Sequence, residues 1–228
     1  MNNKSGVNNP AISVPKGGGA IKGIDEKFQV DLFTGTGNFL VPIITSPGRN
    51  DFGPKLNLQY STGNGNSIFG LGWQLSIPCI TRKTEKGIPK YTDEDVYVLT
   101  GAEDLVPVLD EDLNLPLYVI RENYTIYRYR PRTEGLFARI EKWVRDDGDI
   151  HWRVKTKDNI TNIYGRTTTT RLFDFKNTNK IYKWFLQETF DAKGNHILYE
   201  YEKENPTIKI SKAGKSCDII HENCASCP

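Results

Sequence analysis

The chain of 228 residues sets 30 Lys and Arg against 28 Asp and Glu, a formal net charge of +2, with 37% hydrophobic and 11% aromatic residues. A balance so near neutrality, with no basic stripe, excludes a protein whose main task is neutralising nucleic-acid phosphates. No run of about eighteen apolar residues offers a membrane-crossing helix, and the N-terminus MNNKSGVNNPAISVPKGGG lacks the apolar core of a secretory signal.

Residues 1–11 are polar and Asn-rich and are expected to be disordered. KGGGAIK at 16–22 lacks the G-x-x-x-x-G-K-[ST] spacing of a phosphate loop, so a turn is expected there. Phe28, Val30 and Leu32 alternate with polar neighbours, as do Phe39, Val41 and Ile43, which predicts a hairpin. Pro42 removes a ladder donor and predicts an edge position for the second of these strands. Leu56, Leu58 and Tyr60 mark a third strand, and Trp73, Leu75 and Ile77 a fourth. Between them lie Gly63, Gly65, Gly70 and Gly72, which read as a β-corner tucked under the Trp73 indole and need no ligand.

Cys79 stands alone in a predicted strand and reads as a small buried hydrophobe. Tyr97 and Leu99 open another hairpin, turning at 100–104. LDEDLNLPL at 109–117 holds a fragment of a calcium loop in Asp110, Asp112 and Asn114. However, Leu115 stands where the loop needs Gly and Arg121 where it needs Glu, so an acidic solvated loop is expected. Residues 118–130 alternate aromatic and charged side chains, as antiparallel strands with one wet face do. Residues 136–144 fit both helical and strand periods and are assigned to a strand, with the DDGD turn at 146–149 leading to Trp152 and Val154 on the return arm. TKDNITNIYG (156–165) and FDAKGNHILYEY (190–201) form a loose repeat, a polar D-x-x turn followed by an alternating run ending on Tyr.

Three of the four cysteines crowd the end, where Cys217, His221, Cys224 and Cys227 spell a C-x3-H-x2-C-x2-C cluster. These are ligand types that zinc favours, but structural zinc sites draw their ligand pairs from separate turns and this set is compressed. An aberrant or disordered tail without metal is the preferred reading of 203–228. The histidines His151, His196 and His221 lie outside any G-x-S-x-G or H-E-x-x-H context and read as surface or packing residues.

Several long motifs occur in order: VPKGGGAI (14–21), SPGR (46–49), FGLGW (69–73), RKTEKGIPKY (82–91), LTGAEDLVPV (99–108), YRPRTEGLFARIEKWVR (129–145) and WFLQETFDAKGNHILYEYE (184–202). Together they resemble the SpvB domain, which opens the B components of bacterial insecticidal toxin complexes (Tc toxins) and the SpvB virulence proteins. The resemblance runs from about Ile12 to Glu202, and Gly70, Gly72, Trp73, Arg82, Lys83, Gly87, Pro89, Tyr91 and Gly101 carry its motifs in structural roles.

The resemblance implies an all-β domain over 12–202, of antiparallel hairpins in a curved sheet, a sandwich or the start of an RHS/YD-repeat-like shell. It implies partners as well: a toxin-complex C component that completes the shell and a pore-forming A component on which the shell docks. Such a domain performs no chemistry and binds no cofactor, and it reaches the extracellular space within the complex. Some SpvB proteins also carry an ADP-ribosyltransferase domain with a Glu-x-Glu pair. Glu200-Tyr201-Glu202 has that spelling, but no Ser-Thr-Ser element precedes it, and both glutamates are expected on a solvated strand face. A carbohydrate- or surface-binding β-module is a further alternative, suggested by the aromatic content.

Overall fold

The structure is a computed structural model that describes residues 27–30, 37–46, 48–85, 87–100 and 104–202. The period-two pattern is realised almost throughout, and helix among the described residues is limited to two single 3-10 turns, Arg49–Asp51 and Thr168–Thr170. The chain first lays down β1 (Lys27–Val30), β2 (Gly37–Ile43) and β3 (Leu56–Ser61). The short arms β4 (Asn66–Ser67) and β5 (Gly70–Leu71) follow, then β6 (Trp73–Leu75). Strands β1, β2, β3 and β6 hydrogen-bond in that order as one antiparallel sheet, while β4 and β5 pair only with each other.

Pro42 does not mark an edge, because β2 lies between β1 and β3. Among the described residues the ladder to β1 runs to the Lys27–Leu40 pair and does not include Pro42. The corner glycine Gly72 has φ +81°, and a side chain there would meet the Tyr60 ring at 2.5 Å. The Tyr60 phenol therefore packs against this corner, and it leans in turn on the Trp73 indole at 5.2 Å.

The rest of the chain builds one larger sheet. Its strands are β7 (Cys79–Arg82), β8 (Tyr97–Leu99), β9 (Asp104–Pro107), β10 (Tyr118–Arg121), β11 (Tyr124–Pro131) and β12 (Arg139–Arg145). They continue as β13 (Ile150–Lys155), β14 (Thr161–Tyr164), β15 (Arg171–Asp174), β16 (Asn177–Phe190) and β17 (His196–Leu198). The order β11-β12-β13-β14-β16-β7-β8-β9 returns to β11 through the β9–β11 pairing, so the hairpins close into a barrel-like ring. Closure removes the edges that an open sheet of this length would expose. Strands β10, β15 and β17 stay off the ring, β10 on β11 and the other two on β16.

Alternation decides what fills the ring. Ile80, Tyr97, Leu99, Ile140, Trp152, Val154, Ile181, Trp184 and Leu186 are buried in one cluster. Tyr97 is its hub, with its ring centroid 4.8 Å from Trp152, 5.8 Å from Trp184 and 5.9 Å from Tyr129, all edge-on. Edge-to-face packing sets positive ring edges on negative faces, worth about 0.5–1.5 kcal/mol per pair beyond burial. The Trp184 indole also donates to the Ile150 carbonyl at 2.9 Å. Cys79, at the mouth of β7, is half-buried rather than buried, with its sulfur 3.1 Å from the Thr100 hydroxyl.

Gly165, after β14, allows this packing. It sits at φ +64°, and a Cβ there would lie 2.3 Å from Trp184 Cδ1. Gly165→Ala should lose about 2–4 kcal/mol, combining a left-handed alanine with overpacking of a ring that has nowhere to move. Gly194, at φ +83° with no atom within 4 Å of the added carbon, isolates the backbone part. Gly194→Ala should cost about 1 kcal/mol. Chemical denaturation of the two variants side by side measures the difference.

Candidate functional site

The RKTEKGIPKY motif forms the end of β7 and the connection to β8, and this connection folds over one mouth of the barrel. Arg82 is only 3% exposed. Its Nε donates to the Ile181 carbonyl at 2.9 Å, and its Nη1 to the Asp95 carboxylate at 2.8 Å and the Thr92 carbonyl at 3.3 Å. The guanidinium lies over the Tyr97, Tyr91 and Trp184 rings at 5.0, 5.2 and 5.7 Å. Asp95 takes two further donors, the Lys90 and Tyr91 amides at 3.0 and 2.7 Å. Those bonds hold Tyr91 at φ +60°, which turns its ring onto Arg82.

A second cation enters the barrel beside it. Lys142, buried on β12, lies 5.2 Å from the Tyr97 ring centre and 5.9 Å from Tyr127, and its ammonium is 3.5 Å from the Asp93 carboxylate. A buried charge is tolerated only when paired and hydrogen-bonded. The β7–β8 connection meets that requirement at Arg82 through the largely buried Asp95, whereas the Asp93 carboxylate that approaches Lys142 stands fully exposed to solvent.

Next to this plug lies an open groove of about 500 Å³ lined by Thr81, Lys83, Glu85, Asp104, Arg132 and Tyr182. Lys83 Nζ lies 2.8 Å from both Glu85 and Asp104, and Arg132 lies 3.5 Å from the other Asp104 oxygen. The hydrogen bonds to Asp104 and Glu85 push the Lys83 pKa up. A lysine held cationic in this way is an ion-pair partner and a poor nucleophile or base. No group of three or more His, Cys, Asp or Glu residues among those described could hold a metal ion.

The outer barrel wall carries a third cluster. His151 and Trp143, opposite one another on β13 and β12, are both buried, with ring centroids 5.6 Å apart. Arg153 stacks 3.7 Å from the Trp143 ring centre and donates from Nε to His151 Nε2 at 3.3 Å. Tyr124 closes on the imidazole edge-on at 5.5 Å. Burial, and then the Arg153, Arg171 and Arg166 charges, push the His151 pKa down to about 3. Arg171 forks onto Asp149 and holds that carboxyl below its usual range.

The motif residues are thus dispersed. Trp73 belongs to the first sheet, Gly70 to the separate β4–β5 pair and Gly72 to the corner between them, and Arg82, Lys83, Pro89 and Tyr91 belong to the barrel mouth. Gly87, at φ +110° with no atom within 4 Å of a built Cβ, turns the connection between Lys83 and Tyr91. Gly101 and the Cys217, His221, Cys224 and Cys227 cluster lie outside the described residues. His196 pairs with Glu188 at 3.0 Å on the outer wall. Glu200 and Glu202 are exposed past the end of β17, while Tyr201 between them donates to the Leu186 carbonyl at 2.8 Å. Sequence reasoning missed Lys142 and its acidic cap. The signal was present in IEKWV, where Lys142 falls on the inward register of Ile140 and Val144.

A family model described as the Salmonella virulence plasmid 65kDa B protein (SpvB) matches residues 32–223. The mono(ADP-ribosyl)transferase SpvB of Salmonella choleraesuis (strain SC-B67) is 34% identical over 209 residues, covering 85% of this chain and 33% of that protein. Its counterpart in Salmonella dublin is 33% identical over 208 residues, covering 84% and 32%. The chain therefore spans about a third of the length of these relatives.

Among solved structures, the crystal structure of TcdB2-TccC3 superposes with a TM-score of 0.73 at 29% identity, covering 86% of this chain and 10% of that one. The Photorhabdus luminescens Tc holotoxin pore gives 0.73 at 29%, covering 91% and 10%. The N-terminal domain of the effector protein SpvB from Salmonella typhimurium strain LT2 gives 0.64 at 32%, covering 77% and 58%. The match thus falls on the N-terminal part of SpvB, on a fold that also recurs within far longer toxin chains. By the extent of the family match and the agreement of the fold, this chain belongs to the SpvB family.

Proposed function

We propose that the chain is a structural domain of a toxin-complex B component, part of the wall of a shell that encloses and delivers a toxic partner. The observation that carries this reading is how its charged groups are used. Arg82 is matched to Asp95 within the barrel mouth, Lys83 is matched to Asp104 in the groove, and Lys142 is held between the Tyr97 and Tyr127 rings with its ammonium 3.5 Å from the exposed Asp93. A site that performs chemistry keeps a base, acid or nucleophile unspent and aimed at a substrate. Here the fold gathers its ionisable groups to hold the wall shut.

The family fold as one tenth of the TcdB2-TccC3 chain supports a role as one building unit among many. In that setting the partners are an RHS-repeat C component and a pore-forming A component, and the domain leaves the cell as part of the assembly. A second reading is favoured by the 34% identity to the ADP-ribosyltransferase SpvB: an N-terminal domain whose catalytic partner domain is a separate part of the polypeptide. In both, these residues are scaffold.

Co-expression with a toxin-complex C component should yield one co-eluting species, whereas the second reading expects separate elution. In either case the chain should release no nicotinamide from NAD above the buffer rate, and Glu202→Gln should change nothing. Turnover that disappears with Glu202→Gln would end the scaffold reading. Binding on a glycan array would favour a surface-binding module instead.

A further inference from the structure

Strand β10 is the least protected edge of the large sheet. It pairs on one side with the first half of β11, from Tyr118–Tyr127 to Arg121–Tyr124, and no described strand takes its other side. All four of its residues are exposed, with Tyr118 at 55%, Val119 at 53% and Ile120 at 69%. Exposed Leu113 and Leu115 extend the apolar surface into the preceding turn. Soluble proteins guard such edges with short strands, charges, prolines or bulges. Strand β10 is short, but Tyr118, Val119 and Ile120 carry no charge, proline or bulge, and its one charge, Arg121, stands at its end.

The backbone groups facing outward follow from the register. The Arg128 amide donates to the Leu117 carbonyl at 3.1 Å. Antiparallel hydrogen-bonded pairs alternate, so Val119 and Arg121 turn their amides and carbonyls toward β11, and Tyr118 and Ile120 turn theirs away.

We propose that this edge pairs antiparallel with β10 of a second copy of the chain, about a two-fold axis through Val119. In that register Tyr118 faces Ile120 of the other copy at two symmetric places, and roughly four backbone hydrogen bonds form from the groups that point outward. Each contact sets an aromatic ring beside a β-branched side chain, a favourable cross-strand combination. Arg121 falls opposite Leu117 of the second copy, at the end where that strand is entered from its acidic turn, Asp110, Glu111 and Asp112. Each strand thus carries its positive charge where the other carries its negative ones. Moving the axis to Ile120 would oppose Tyr118 to Glu122, whose φ of +52° has left the extended region. The contact is isologous, so it closes at a dimer rather than growing into a fibre. It is independent of the shell reading, which a monomeric chain would leave intact.

Sedimentation velocity of the full chain over a concentration series tests the pairing. The expected result is a reversible species of twice the 25.9 kDa chain mass. Ile120→Pro deletes an amide that β11 does not use, so it should abolish the dimer while leaving the thermal midpoint in place. Ile120→Lys should do the same by charge. Val119→Cys under mild oxidation should give a dimer in which peptide mapping finds the strand linked to itself. Opposed residues of a non-hydrogen-bonded pair stand about 4.5 Å apart at Cα, within disulfide reach. A single 25.9 kDa species at every concentration, open-ended association, or a dimer that survives both Ile120 substitutions would overturn the proposal.

Discussion

Replacing Arg82 by leucine should lower stability by about 3–5 kcal/mol, the usual cost of removing one partner of a buried ion pair. In a chain of this size that shifts the thermal midpoint by about 10 °C or more. Leucine fills much of the volume, so the loss comes from groups left without their partner. Asp95 would keep the Lys90 and Tyr91 amides but lose the guanidinium 2.8 Å away, and the Ile181 carbonyl would lose its donor. Three aromatic rings would also lose the cation between them. The double variant Arg82→Leu, Asp95→Asn separates the causes. The introduced asparagine carbonyl can accept from only one of the Lys90 and Tyr91 amides, which use different oxygens of Asp95, but it leaves no unpaired charge, so the double should be more stable than the sum of the singles predicts. Arg82→Lys should fall between wild type and Arg82→Leu, since an ammonium cannot serve the carbonyl and the carboxylate with a fixed fork. A loss below about 1 kcal/mol for Arg82→Leu, measured by denaturant titration, would mean that the plug is solvated and not structural.

The hairpins were legible from the chain because they are local. Tyr97 and Leu99, Trp152 and Val154, and the DDGD turn each state their strand and its buried face within a few residues. Closure of the ring was not legible, because it rests on Tyr129–Pro107 and Lys183–Thr81 pairings between residues far apart in sequence with no alternation to announce them. The Pro42 expectation failed for a related reason. A proline reports that one amide cannot bond, whereas which strands flank it is decided by pairings with β1 and β3 that its own neighbours in sequence do not state. The barrel mouth was half legible. Arg82 and Tyr91 stood out within a motif, but Asp95 looks like a solvated turn residue until Arg82 is seen pointing at it. Buried charge is invisible to hydropathy patterns, which place every lysine outside.

Acidification should loosen the outer wall through His151, whose folded pKa is pushed down to about 3, against about 6.5 when unfolded. Above the unfolded value both states hold a neutral imidazole, and the group contributes no pH dependence. As pH falls below about 6.5 the unfolded chain takes up a proton that the folded one refuses, so stability drops by about 1.4 kcal/mol per unit, or about 3 kcal/mol by pH 4. The refusal has a visible cause. Nε2 already accepts from Arg153, and the ring lies between Trp143 and Tyr124 with Arg166 and Arg171 adding positive field, only partly offset by Asp149. Carboxylates titrate over part of the same window, so the difference between two proteins is the informative quantity. His151→Phe keeps the stacked ring and removes the titration, though it leaves the Arg153 Nε–H without this acceptor. The variant should therefore be less stable than wild type at pH 7 and recover about 3 kcal/mol relative to it by pH 4. Parallel stability curves for the two proteins across pH 7 to 4 would show that the imidazole is protonated in place, which would mean that the Arg153–Trp143 stack opens to water in the folded state.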